Sequence, residues 1–121
     1  MATGHDVLLL AMIDRTASRG GSGPDQFDCS GLAMWVYQQF GIQLPHYSGA
    51  QMDLATPVDP AKKLRPGDLL FYGPDGSSHV AIYMGKGMQV SANNPRTGIV
   101  VEPTTSEYLT SRYVGAGRLI L

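Results

Sequence analysis

Phe27-Asp28-Cys29-Ser30-Gly31-Leu32 is the stretch on which the reading of this chain turns. Cys29 is the only cysteine, so no disulfide can close within the chain and the lone thiol calls for another explanation. Behind it, Leu32, Ala33, Met34, Trp35, Val36, Tyr37 and Phe40 follow a helical pattern that Gly41 closes as C-cap. Asp28 or Ser30 supplies the N-cap, which sets the thiol at the helix entrance. Unpaired N–H groups and the positive end of the helix dipole favour a thiolate there. Cys29 is therefore a candidate nucleophile. The competing reading is a buried structural cysteine, the commoner fate of a free thiol.

Upstream of this stretch, Asp6 to Arg19 reads as a first helix, apolar nearly all round from Val7 to Ile13, and Gly20 to Pro24 reads as a loop. Downstream, Ile42 to Pro45 is extended and a short helical piece covers Ala50 to Leu54. Thr56 to Lys63, with Pro57 and Pro60 inside it, reads as an irregular connector. Strands are expected at Leu69 to Tyr72, His79 to Met84, Met88 to Ala92, Ile99 to Val101 and Tyr113 to Leu121, with one helical turn at Ser106 to Thr110. Gly85-Lys86-Gly87 makes the hairpin between the second and third strands. His79, Ala81 and Tyr83 fall on one strand face, and Val80, Ile82 and Met84 on the other. Helices first and antiparallel strands second give an α+β class.

The 121 residues suffice for one domain, taken as 1–121, and are too few for two. A net charge of -1 implies no broad basic face, so nucleic acid is not expected as a partner. No apolar run is long enough to span a bilayer. The start, Met1-Ala2-Thr3-Gly4-His5-Asp6, lacks the order of a signal peptide, which fits a cytoplasmic protein or an excised mature domain. One cysteine and three scattered histidines form no visible ligand cluster, so neither a metal nor another cofactor is expected.

A cysteine nucleophile needs a base within hydrogen-bond reach and a third group to orient that base. His79 is the natural base, since it opens a strand directly after a Gly/Ser turn. His5 precedes the first helix and His46 sits in a loop between Pro45 and Tyr47, so both compete less well. The hairpin returns position 91 opposite His79. That residue is Ser91, whose hydroxyl is shorter than the side chains suited to hold an imidazole. Asn93, two residues on, or an ordered water offers a substitute.

Four blocks in this order carry a resemblance. They are Phe27 to Leu32, then Leu44-Pro45 with Ser48, then Arg65-Pro66-Gly67-Asp68-Leu69-Leu70-Phe71-Tyr72, then His79-Val80-Ala81-Ile82-Tyr83-Met84-Gly85. Together they resemble the NlpC/p60 family of cell-wall peptidases over roughly the whole chain, with wording similar to the Rip-type endopeptidases of mycobacteria. The resemblance implies a papain-like α+β fold, with N-terminal helices packed on an antiparallel sheet of about five or six strands. It implies hydrolysis of the peptidoglycan stem peptide, between D-γ-glutamyl and diaminopimelate, by a protein that is secreted or held at the cell wall. Nothing in the sequence sets the oligomeric state, and a monomer is expected. Carried over by position, Cys29 is the nucleophile, His79 the base and Ser91 the third catalytic position, while Asp28, Ser30 and Ser48 line the substrate cleft. The chain departs from the family pattern at Ser91, where His, Asn, Gln or Glu is usual. It also lacks the aromatic loop usual before the cysteine, since no aromatic residue lies between Ile13 and Phe27. Both departures weaken catalysis before they weaken binding. A non-catalytic peptidoglycan-binding module on the same scaffold is therefore the alternative, and a structural domain binding an unrelated partner is the third reading.

Overall fold

The structure is a computed structural model that describes residues 16–17, 26–38, 41–59, 63–73, 76, 79–94, 98–105 and 107–119. Its elements in chain order are β1 (Thr16–Ala17), β2 (Gln26–Phe27), α1 (Cys29–Gln38), α2 (Ser48–Leu54), β3 (Thr56–Pro57), β4 (Leu69–Tyr72), β5 (His79–Gly85), β6 (Met88–Asn94), β7 (Gly98–Pro103), α3 (Glu107–Thr110) and β8 (Tyr113–Arg118). β1 and β2 pair in parallel, whereas the main sheet has six strands in the order β3-β8-β4-β5-β6-β7, antiparallel throughout its pairs. The α+β expectation holds.

Two local expectations need correction. The helix expected over Asp6 to Arg19 falls outside the described residues except at Thr16 and Ala17, and these form a strand paired with Gln26 and Phe27. Thr56 and Pro57 are not irregular. They pair with Arg118 and Gly117 at one edge of the sheet, where a proline without an N–H is tolerated.

The cysteine helix forms for the reasons its sequence gives. Asp28 is the N-cap: its carbonyl accepts the first intrahelical bond from Leu32 N–H at 2.9 Å, and its Oδ1 accepts the Gly31 N–H at 2.6 Å. At the far end Gly41 takes φ +78°, where a side chain would be strained, and its N–H returns to the Gln38 carbonyl. Leu32, Ala33, Val36 and Tyr37 face inward with almost no exposure. They pack on Leu69 and Phe71 of β4, Val80 and Ile82 of β5, Val90 and Ala92 of β6 and Ile99 of β7. Burying such side chains contributes about 1.5–3 kcal/mol each relative to leaving them in water.

The alternate residues of the same strands point to the other face. There Leu70, Tyr72, Ala81 and Ala116 cluster with Leu109 of α3, with Val58, Leu64 and Tyr83 packed against them. The period-two split of β5 read from its sequence is thus the split between the two faces of the sheet. A two-sided apolar strand such as Leu69–Tyr72, buried at all four positions, is what a central strand covered on both faces requires.

Two polar ties fix the start of β4. The Arg118 guanidinium grips Asp68 side-on, Nε to Oδ1 and Nη2 to Oδ2 both at 2.8 Å, and Asp68 also accepts the Arg65 N–H at 2.8 Å. Asp68 is 2% exposed, so this pairing satisfies a carboxylate that would otherwise be costly to bury. From the helix side the Tyr37 hydroxyl donates to the Gly67 carbonyl, tying α1 to the turn before β4.

Candidate active site

Two of the candidate residues stand where α1 begins and where β5 begins. Cys29 is the first residue of α1, partly exposed and packed against the core. Backbone N–H groups of Val80, Ser30 and Cys29 itself lie near its sulfur and favour the thiolate. Burial outweighs them, and the neighbouring Asp28 carboxylate adds to it, so the thiol is pushed above its ordinary value. This reverses the expectation of a thiolate favoured by the helix start. The helix does offer donors, but the site is drier and more negative than the sequence alone suggests.

His79 is the residue before Val80, so the backbone N–H that favours the thiolate and the imidazole belong to adjacent residues of β5. The ring of His79 lies beside Tyr72, its partner across the β4–β5 ladder, with centroids 5.8 Å apart. Burial lowers the pKa of the imidazole, leaving it neutral at neutral pH and able to accept a proton.

The third position is placed differently from the expectation. Ile82 pairs with Val90 and Tyr83 with Gln89, a register that carries Ser91 level with Ala81 and not with His79. β6 runs on to Asn94, with its pairing to β7 irregular between Ala92 and Asn94. Ser91 shares His79's face of the sheet but sits on the diagonal and is fully buried.

Around Cys29, Asp28 and Ser30 are in the same turn, with the Ser30 hydroxyl 3.4 Å from Asp28 Oδ1. Ser30 and Ser48 are 7% and 4% exposed, so little of either faces solvent. Two residues passed over in the sequence join this corner. His46 Nε2 lies 2.8 Å from Asp28 Oδ1. Gln51, with no exposed surface, donates its amide to the Ser30 and Pro45 carbonyls at 2.9 and 2.8 Å. Their partners are remote in sequence, so no local pattern points to them.

The sequence profile of the NlpC/P60 family matches residues 18–118. The chain belongs to the NlpC/P60 family. It is 42% identical over 90 residues to the peptidoglycan endopeptidase RipA of Mycobacterium tuberculosis, a match covering 74% of this chain and 19% of that protein. It is 44% identical over 84 residues to the probable endopeptidase p60 of Listeria seeligeri, covering 68% of this chain and 16% of the relative. The crystal structure of an NlpC/P60 family protein from Bacillus cereus superposes with a TM-score of 0.87 at 28% identity, over 98% of this chain and 41% of that one. The chain thus spans less than a fifth of the length of these two relatives. Among the described residues no helix is long and apolar enough to cross a membrane.

Proposed function

We propose that this domain is a cysteine endopeptidase of the bacterial peptidoglycan stem, acting on bonds of the D-γ-glutamyl–diaminopimelate type outside the cell membrane. The observation that carries the proposal is the seat of the Cys29 sulfur, at the start of α1 and against the N–H of Val80, next in chain to a neutral His79. The substrate class is supported by relatives described as peptidoglycan endopeptidases, RipA among them.

In this reading the thiol enters the reaction protonated. His79 takes the proton as sulfur attacks the γ-glutamyl carbonyl, and the tetrahedral oxyanion forms near the backbone N–H of Cys29. The imidazolium then protonates the leaving amine, and a thioester remains. Water, deprotonated by His79, hydrolyses that thioester and returns the thiol. Ser91, on the diagonal and short, orients the imidazole poorly, so turnover is slow for such a site. Thiols tolerate this better than serine hydroxyls because sulfur is the stronger nucleophile near its pKa.

The test is release of new amines from purified peptidoglycan or a stem tetrapeptide, wild type beside Cys29→Ala. Release by the wild type alone supports the endopeptidase. The raised thiol pKa and the short Ser91 favour a second reading, a non-catalytic peptidoglycan-binding module. No release by either protein, with both retained on insoluble peptidoglycan, would overturn the first reading in favour of the second.

A further inference from the structure

The segment after Pro45 reaches back to the nucleophile turn at two separate points. His46 Nε2 meets Asp28 Oδ1 at 2.8 Å, on the same oxygen that receives the Gly31 N–H at 2.6 Å. Further along, Gln51 clamps the Ser30 and Pro45 carbonyls with one buried amide. The Gln51 clamp fixes where the two backbones lie. The His46 bond acts on charge as well as position.

Asp28 has two effects on its neighbour. Its oxygen caps α1 and so fixes the turn that carries Cys29, while its negative charge opposes ionisation of the thiol. A donor on that oxygen strengthens the first effect and weakens the second, because an N–H dipole or an imidazolium offsets carboxylate charge. Both side chains are partly exposed, 32% for His46 and 28% for Asp28, so the pair is solvated and the effect modest. Among the described residues, the titratable side chains shown to meet at this turn are Cys29 and Asp28 of the turn itself and His46 from the segment before α2, with His79 on β5 next in chain to Val80.

We propose that His46 is a positioning residue for the Cys29 nucleophile, acting through Asp28, whose carboxylate it holds on the helix cap and whose charge it screens from the sulfur. This rests on the reading of Cys29 as nucleophile and adds to it a residue that need not touch substrate.

The experiment follows Cys29 alkylation by iodoacetamide against pH in the full chain, for wild type, His46→Leu, His46→Gln and each histidine change combined with Asp28→Asn. The expected result is a midpoint moved to higher pH in His46→Leu, with alkylation slowed about threefold near neutral pH, the size an exposed pair allows. His46→Gln, whose amide can donate to the same oxygen, restores most of the rate. In the Asp28→Asn background, where the cap acceptor stays and the charge is gone, His46→Leu changes little. A His46→Leu profile equal to wild type, or an equal shift with Asp28→Asn, would overturn the proposal. Thermal melting of each variant separates loss of fold from loss of coupling. Alkylation reads the thiol whether or not any stem peptide is cut. A shift without turnover defeats the endopeptidase reading and keeps the His46 coupling, whereas turnover without a shift does the reverse.

Discussion

Tyr72 and His79 face each other across the β4–β5 ladder, and their rings meet at 5.8 Å with a tilt of 40°. Tyr72 is itself anchored, its hydroxyl donating to Gln89 Oε1 at 2.5 Å on β6. It is therefore a wall beside the proposed base and a strut across the sheet. Tyr72→Phe keeps the wall and removes the strut, leaving the buried Gln89 amide oxygen without that donor. Stability should fall by about 1–3 kcal/mol, the cost of an unsatisfied buried group, while turnover per folded molecule stays near wild type. Tyr72→Leu removes both and should lose turnover as well. Denaturant melts beside stem-peptide assays decide this, and an equal loss of turnover in the two variants would refute the wall.

The thiol of Cys29 should react late in a pH titration. Its pKa is raised by burial first and by Asp28 second, so it stays protonated through neutral pH. Alkylation at neutral pH should be slower than for free cysteine, and its midpoint should lie above the ordinary value of about 8.5. The same chain in denaturant supplies the ordinary value as a control. Linkage has the matching sign: with the folded value above the unfolded one, the thiol's stability contribution is complete below the unfolded pKa and is lost as pH rises through the folded one. A folded midpoint below the denatured one would contradict this.

The same residue shows where the sequence was legible and where it was not. The α1 pattern, the Asp28 cap, the Gly41 stop and the two faces of β5 are properties of neighbours in the chain, and each reappears in the structure. The chemistry of the corner depends on groups far apart in sequence. Burial of the thiol comes from β5 packing on α1, which helix-dipole reasoning does not contain. His46 reaches Asp28 across 18 positions and Gln51 reaches Ser30 across 21, and nothing local to either histidine or glutamine signals a partner. At position 91 the sequence was legible and the count decides it: the pairs Tyr83–Gln89 and Ile82–Val90 are symmetric about Lys86, so the strand returns Ser91 level with Ala81 and two residues short of His79.

His79 gives a pH dependence of the opposite sense to the thiol. Burial lowers its pKa from 6.5, so the folded chain resists protonation more than the unfolded one does. The stability this contributes is complete above the unfolded value of 6.5 and is lost as pH falls through the lower folded value. Urea melts at a series of pH values below neutrality should therefore show an acid limb that His79→Gln flattens. If the limb is unchanged in that variant, its source lies in other groups. Turnover should persist below pH 6.5 for the same reason, because the base stays unprotonated further into acid than an exposed histidine would.

Ser91 offers the sharpest change to the reaction itself. It lies on the diagonal from His79, a separation of about 7–8 Å between backbone positions that long side chains span and a hydroxyl does not. Ser91→His brings a ring nitrogen within range of the imidazole and should raise kcat by about tenfold or more, a fraction of the ten-thousandfold that a third group can contribute in a hydrolytic triad. The position has no exposed surface, so the larger ring must displace its neighbours, and stability should drop by about 1–3 kcal/mol. Ser91→Leu adds comparable bulk without a nitrogen and should show the same loss of stability with no gain in rate. A rate gain confined to His assigns the third role to this position. Equal rates in the two variants would mean that the imidazole of His79 takes its orientation from elsewhere, with the Tyr72 ring the group already in contact with it.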